Sequence, residues 1–195
     1  MQTEFTYYEE FFHVVIDTHK EIIKLEKEHQ ELQISLSKTK KIGNDITDLL
    51  AEKNDRIGRL TLIVIIFCAS ALEAYINDYA INCLSKNYLK TYLDKLDLLS
   101  KWIIIPRIVK GVQLDAGSKS FQDLSWLISL RNTLVHFKSR KVDISQIKES
   151  DFFWAEDATR AIETVRNLVN ELKKIDETIY VDWITRKFEK YPYID

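Results

Sequence analysis

The sequence predicts an all-α fold: an antiparallel bundle of four to six helices, opened by one long N-terminal helix. Three observations carry that expectation. The 195 residues include only 4 glycines and 2 prolines, too little turn-forming material for a β-rich chain. Apolar side chains recur at three- and four-residue spacing over long stretches. The stretches are separated by short segments rich in glycine, proline, asparagine or aspartate, the usual helix boundaries. A hydrophobic content of 46% with 30% charged residues is that of a chain that buries a core. The length suits one domain spanning residues 1–195. Within it, residues 1–42 read as the long amphipathic helix, 43–178 as the bundle core and 179–195 as a C-terminal tail.

From about Tyr7 to Lys40, the residues Tyr8, Phe11, Val15, Ile22, Leu25, Leu32 and Leu36 form one stripe, with Thr18 and His29 filling its gaps. The alternating Glu and Lys residues of "KEIIKLEKEHQEL" form a solvated face. "KIGND" (Lys41 to Asp45) joins a glycine stop to an Asn or Asp start and predicts a turn. The second helix is expected from about Ile46 to Ser85, loosened near Gly58. Its half "LIVIIFCASALEAYINDYAINCL" is apolar on most faces and should form the centre of the core.

"KNYLKTYLDKLDLLSKW" reads as a shorter amphipathic helix. "IIIPRIVKGVQLDAGSKS" holds a proline, two glycines and no sustained period, so a loop or extended connection is expected. Helical spacing returns in "SFQDLSWLISLRNTLVHFKSR", with Phe121, Leu124, Ile128 and Val135 on one side and Ser120 as N-cap. After a polar loop, Lys141 to Ser150, a last helix spans about Phe152 to Ile175. Ala155, Ala158, Ile162, Val165, Val169 and Leu172 make its inner face. The tail "YVDWITRKFEKYPYID" is aromatic and mixed in charge, and suits either packing on the bundle or an external contact.

A net charge of -2 rules out a surface that binds polyanions all over, so any nucleic-acid contact must be local. The N-terminus lacks the basic-then-apolar order of a secretory signal. The apolar run Leu60 to Leu72 falls short of the roughly 18 to 20 residues that span a bilayer, so no membrane partner and a cytoplasmic location are expected. Cys68 and Cys83 read as buried, reduced thiols, with a disulfide left open. His13, His19 and His29 lack the spacing of a helical metal pair. No phosphate-binding glycine loop or serine-centred elbow occurs. No metal or cofactor is expected.

One grouping stands out: "LRNTLVHFK", Leu130 to Lys138. On a straight helix Asn132 and His136 share a face, whereas Arg131 and His136 point roughly 140° apart. One copy makes an awkward site; two copies related by a two-fold axis would place Arg, Asn and His from both chains in one polar cleft. Arg131, Lys138, Arg140 and Lys141 form a local basic patch with no intervening acid. Such a set suits RNA cleavage without a metal, in which a 2'-hydroxyl attacks the adjacent phosphate. His136 moves protons, Arg131 neutralises charge on the phosphorane-like transition state, and Asn132 orients the imidazole or the phosphate. A purely structural reading stands beside it: a histidine near a helix C-terminus complements the dipole, and an arginine there caps carbonyls.

"LRNTLVH" resembles the Arg-x(4 to 6)-His motif of the HEPN superfamily (higher eukaryotes and prokaryotes nucleotide-binding), with a polar residue directly after the arginine. "SALEAYIND" and "KWIIIPRIVKG" through "SFQDLSWLISLRNTLVHFK" also resemble bacterial HEPN-like proteins. The resemblance covers roughly Leu60 to Ile175 and leaves out the N-terminal helix and the tail. It implies a helical bundle that forms a homodimer with the motif at the dimer cleft. In active members it implies a metal-independent endoribonuclease, often a toxin or antiviral effector with an antitoxin or regulatory protein as partner. By position, Arg131 and His136 match the two defining residues, Asn132 the polar position, and Glu73 an acidic residue near the cleft; a structural pairing of Glu73 with Arg131 stays open. Lys138, Arg140 and Lys141 are the expected RNA contacts. The family also holds inactive members that serve as interaction or nucleotide- and RNA-binding modules, the alternative here.

Overall fold

The computed structural model describes residues 6–38, 44–136 and 152–185, and among them it contains helices and turns but no strand. Helix α1 (Tyr7–Lys38) carries Glu9 and Glu10 in its first turn, where carboxylates complement the positive end of the helix dipole. Helix α2 (Asn44–Cys83) is 40 residues long and passes Gly58 without a break. The two run antiparallel. Tyr8 meets Tyr75 and Phe11 meets Phe67, while farther along Glu21 pairs with Arg56 and Glu28 with Lys53. Tyr8, Phe12, Val15, Ile22 and Leu25 of α1 are buried against the bundle. Phe12 takes the deep position where the spacing predicts Phe11. Beyond Leu25 and Ile57 neither helix buries a described residue, so the pair continues as a two-helix arm.

The next segment departs from expectation. Rather than one helix followed by a loop, a short α3 (Lys86–Tyr88) runs into a π-turn at Leu89–Leu93, and a new helix α4 covers Leu98–Lys110. Asp97 starts α4 by accepting from the Ser100 amide at 3.0 Å and from the Ser100 hydroxyl at 2.6 Å. Pro106 lies inside α4, and it is buried together with Trp102 and Ile105. Burial of that apolar face outweighs the backbone bond that a proline cannot donate. Gly111 ends the helix at φ 75, a left-handed conformation that a side chain would strain.

Helix α5 (Lys119–Val135) starts at Ser118, not Ser120: the Ser118 hydroxyl accepts from the Phe121 amide at 3.3 Å. Helix α6 (Ala155–Ile175) begins where the Asp157 carboxylate accepts from the Trp154 amide. All six residues expected on its inner face are buried. A 3₁₀ turn, Asp182–Ile184, closes the described chain. Its Trp183 is fully buried and packs on the rings of Tyr8, Phe12 and Tyr75, so this part of the tail belongs to the core.

The core centres on Val64, Ile65, Cys68, Ala71, Leu72 and Ile76 of α2, which packs on α1, α6, α5 and α4. The helix is apolar on most faces because neighbours cover most of them. An 18-residue window within Ile46–Cys83 reaches a mean hydropathy of 1.9, a longer apolar stretch than Leu60 to Leu72 implies. By length and composition it is enough to cross a membrane, and 50% of it is buried inside the bundle.

Candidate functional site

Leu127, Leu130 and Leu134 anchor one face of α5. Leu127 is fully buried, and the other two pack against the core. That fixes the rotation of the helix and turns Arg131, Asn132 and His136 toward its outer side. Asn132 and His136 are exposed and Arg131 is half-buried. Val135, expected on the inner side, is also exposed.

The Arg131 guanidinium faces two acceptors. Its Nη1 donates to the Asn132 side-chain oxygen at 3.0 Å, and its Nη2 lies 4.0 Å from Glu73 Oε2 on α2. Glu73 and Arg131 therefore do come together, from helices far apart in sequence. With Arg131 33% and Glu73 42% exposed, the pair is screened by water and contributes at most about 1 kcal/mol. Such a loose partner is readily exchanged for a phosphate, which offers more charge and a bidentate match to guanidinium.

Asn132 meets Arg131 instead of the His136 imidazole; its backbone oxygen accepts the His136 amide at 2.9 Å as the last bond of the helix. His136 itself is the C-cap, at φ -103 and ψ 20. Its ring makes no hydrogen bond among the described residues. Arg131 and His136 thus leave the helix end in different directions within one chain. Lys138, Arg140 and Lys141 lie outside the described residues, so Arg131 is the described part of the basic patch.

Several side chains outside the motif are engaged in packing and ion pairs of the fold. Trp126 is covered by Arg160, whose Cζ stands 4.1 Å from the ring centroid, and Arg160 also holds the buried Asp123 carboxylate at 2.7 Å. Lys119 bonds the second oxygen of Asp123. Burial would raise the Asp123 carboxyl, yet these two cations hold it below the usual carboxylate range. The resulting clasp seats α5 on α6. His19 Nε2 lies 3.1 Å from the Thr159 hydroxyl, and burial, helped by Arg166, lowers its pKa. Cys68 is buried but Cys83 is exposed, correcting the expectation of two buried thiols; both are free.

A network that sequence spacing did not reveal lies at the far end of α6. The buried Asp176 accepts from Tyr79 at 3.0 Å, from Lys110 at 3.0 Å and from the Thr178 amide and hydroxyl. Its members come from three separate segments, and no local pattern announces such a meeting. No family model, curated protein or solved structure matches the chain, so the residues themselves carry the functional reading.

Proposed function

We propose that the chain is a cytoplasmic, metal-independent endoribonuclease of HEPN type that acts as a homodimer, in the manner of a toxin or antiviral effector. The observation that carries this reading is the exposure of Asn132 and His136, and of Arg131 in part, at the end of α5, with the His136 ring unengaged among the described residues. Arginine and histidine that served only to finish a helix would be expected to lie over its last carbonyls.

Two copies of α5 meeting near their C-terminal ends would bring two imidazoles and two guanidinium groups around one phosphodiester. One His136 takes the proton of the 2'-hydroxyl as its oxygen attacks phosphorus. The second His136 gives a proton to the departing 5'-oxygen. The products are a 2',3'-cyclic phosphate and a free 5'-hydroxyl. Arg131 shifts from Glu73 to the phosphate oxygens as charge builds there, and Asn132 holds the guanidinium in place. Glu73 is the residue that keeps Arg131 extended before RNA arrives. Lys138, Arg140 and Lys141 follow directly in sequence and would draw in the RNA backbone.

The test is incubation of the parent and the Arg131→Ala/His136→Ala variant with total RNA in EDTA, with mapping of cleaved ends. Cuts made by the parent alone and ending in cyclic phosphate are expected. Equal cutting by both proteins, or none by either, would sink the reading in favour of an inactive interaction or RNA-binding module. That alternative loses its most direct surface, since Tyr8, Val15, Ile22 and Leu25 of the N-terminal stripe are already buried against the chain's own bundle.

A further inference from the structure

Helix α2 borders a cavity well before it reaches Glu73. Asn54, Asp55, Gly58 and Arg59 follow one another at three- and four-residue spacing, so they share one side of the helix. Phe152 and Trp154, in the segment that leads into α6, stand opposite. The space between measures about 570 Å³, within the roughly 300–1,000 Å³ of small-molecule sites.

The aromatic wall is pinned to its neighbours. The Thr61 hydroxyl donates to the Trp154 carbonyl at 3.3 Å, and the Trp154 amide donates to Asp157 at 3.1 Å. Gly58 lets the segment lie close to α2: a β-carbon there would stand 3.5 Å from the Phe153 carbonyl oxygen. A wall held this way loses little freedom when a ligand enters. Phe152 and Trp154 are nevertheless 55% and 41% exposed, with ring centres 6.2 Å apart and planes tilted by 52°. Open rings beside a cavity suit an aromatic guest, which meets them edge to face or offset.

The helix wall carries two opposite charges that do not meet. Asp55 and Arg59 stand one turn apart, acid before base, the order in which such a pair forms readily. Yet no hydrogen bond or ion pair joins them, and neither has another partner among the described residues. Neighbouring cations are already engaged, Arg56 by Glu21 and Lys53 by Glu28. The lining is therefore neutral in sum, with an open carboxylate beside an open guanidinium. That arrangement matches a ligand with an ammonium and a carboxylate on one carbon. A phosphate-bearing ligand fits less well, because Asp48 and Glu52 lie exposed on the same side of α2 and would repel it.

We propose that this cavity binds a free amino acid with an aromatic side chain. Arg59 holds the α-carboxylate through its fork of donors, Asp55 accepts from the α-ammonium, and the ligand ring rests against Phe152 and Trp154. The site goes beyond RNA cleavage: Asp55 lies about 27 Å along α2 from Glu73, and no residue is shared.

The experiment is a titration of the full chain with L-phenylalanine and with L-tryptophan, followed by NMR. Phenethylamine, which lacks the carboxylate, and 3-phenylpropionate, which lacks the ammonium, are the controls. At least one amino acid should saturate shifts at the cavity with a dissociation constant of about 1 mM, and each control should bind about tenfold more weakly. Arg59→Gln should erase the preference over phenethylamine, and Asp55→Asn the preference over 3-phenylpropionate; both residues are exposed, so both variants should keep the fold. Phe152→Ala should weaken every ligand severalfold. Arg131→Ala/His136→Ala should bind as the parent does, which keeps this outcome distinct from that of the RNA assay. Saturation by neither amino acid, equal binding of the controls, full preference in both charge variants, or saturation by guanosine monophosphate alone would overturn the proposal.

Discussion

His136 sits exposed at the end of α5 with its ring unbonded among the described residues, and this gives its substitution a clear expectation. His136→Ala should abolish RNA cleavage while moving the melting temperature by less than about 2 °C. A drop beyond about 5 °C would instead mark the imidazole as a structural cap. Asp176 is the opposite case. Burial pushes its carboxyl up, but the bonds from Thr178, Lys110 and Tyr79 win and bring it from 3.8 down to about 2. The folded value lies below the unfolded one, so the stabilisation is complete above about pH 4 and is lost as pH falls toward 2. Asp176→Asn should therefore cost about 2 kcal/mol at pH 7 and far less near pH 2, measured by urea unfolding at both. An equal loss at the two pH values would show that the charge of Asp176 is not what stabilises the fold. The motif was legible at this scale because Arg131, Asn132 and His136 are neighbours in sequence. The Asp176 network was not, because a tyrosine, a lysine and an aspartate from distant segments have no shared spacing.

Among the elements, α5 carries the motif and the Asp123 clasp holds α5 to α6. Asp123 is 6% exposed and bonds both Arg160 and Lys119. Asp123→Ala strands two cations and should cost about 1–3 kcal/mol in denaturant unfolding. It should also speed hydrogen exchange of the α5 amides and lower RNA cleavage, whereas Arg160→Ala should cost less because Lys119 stays with the carboxylate. Unaltered exchange in α5 would mean that the leucine face alone positions the motif. Helix limits followed the apolar period closely for α1, α2 and α6, whose patterns are long. The stretch from Lys86 to Lys110 was misread because proline and glycine signal breaks locally. Burial of Trp102, Ile105 and Pro106 decided in favour of a helix there.

At the scale of the whole molecule, Trp183 joins the end of the described chain to its beginning through Tyr8, Phe12 and Tyr75. Trp183→Ala should destabilise the fold by about 3–5 kcal/mol; a loss below about 1 kcal/mol in chemical denaturation would make the tail an appendage. If two copies build the cleaving site, activity per protomer should fall on dilution through the dimer dissociation range, tracked by sedimentation. Activity that stays proportional to concentration would rule out the two-copy site. The sequence alone determined the helical class, the long first helix, the apolar centre of α2 and the position of the Arg-Asn-x3-His group, because each is written in residues close along the chain. Tertiary structure alone decided that Glu73 reaches Arg131, that Trp126 is taken by Arg160, that Trp183 belongs to the core and that Tyr79 and Lys110 meet on Asp176. Those outcomes depend on which helix faces close on one another, and that is settled by the joint packing of all the elements.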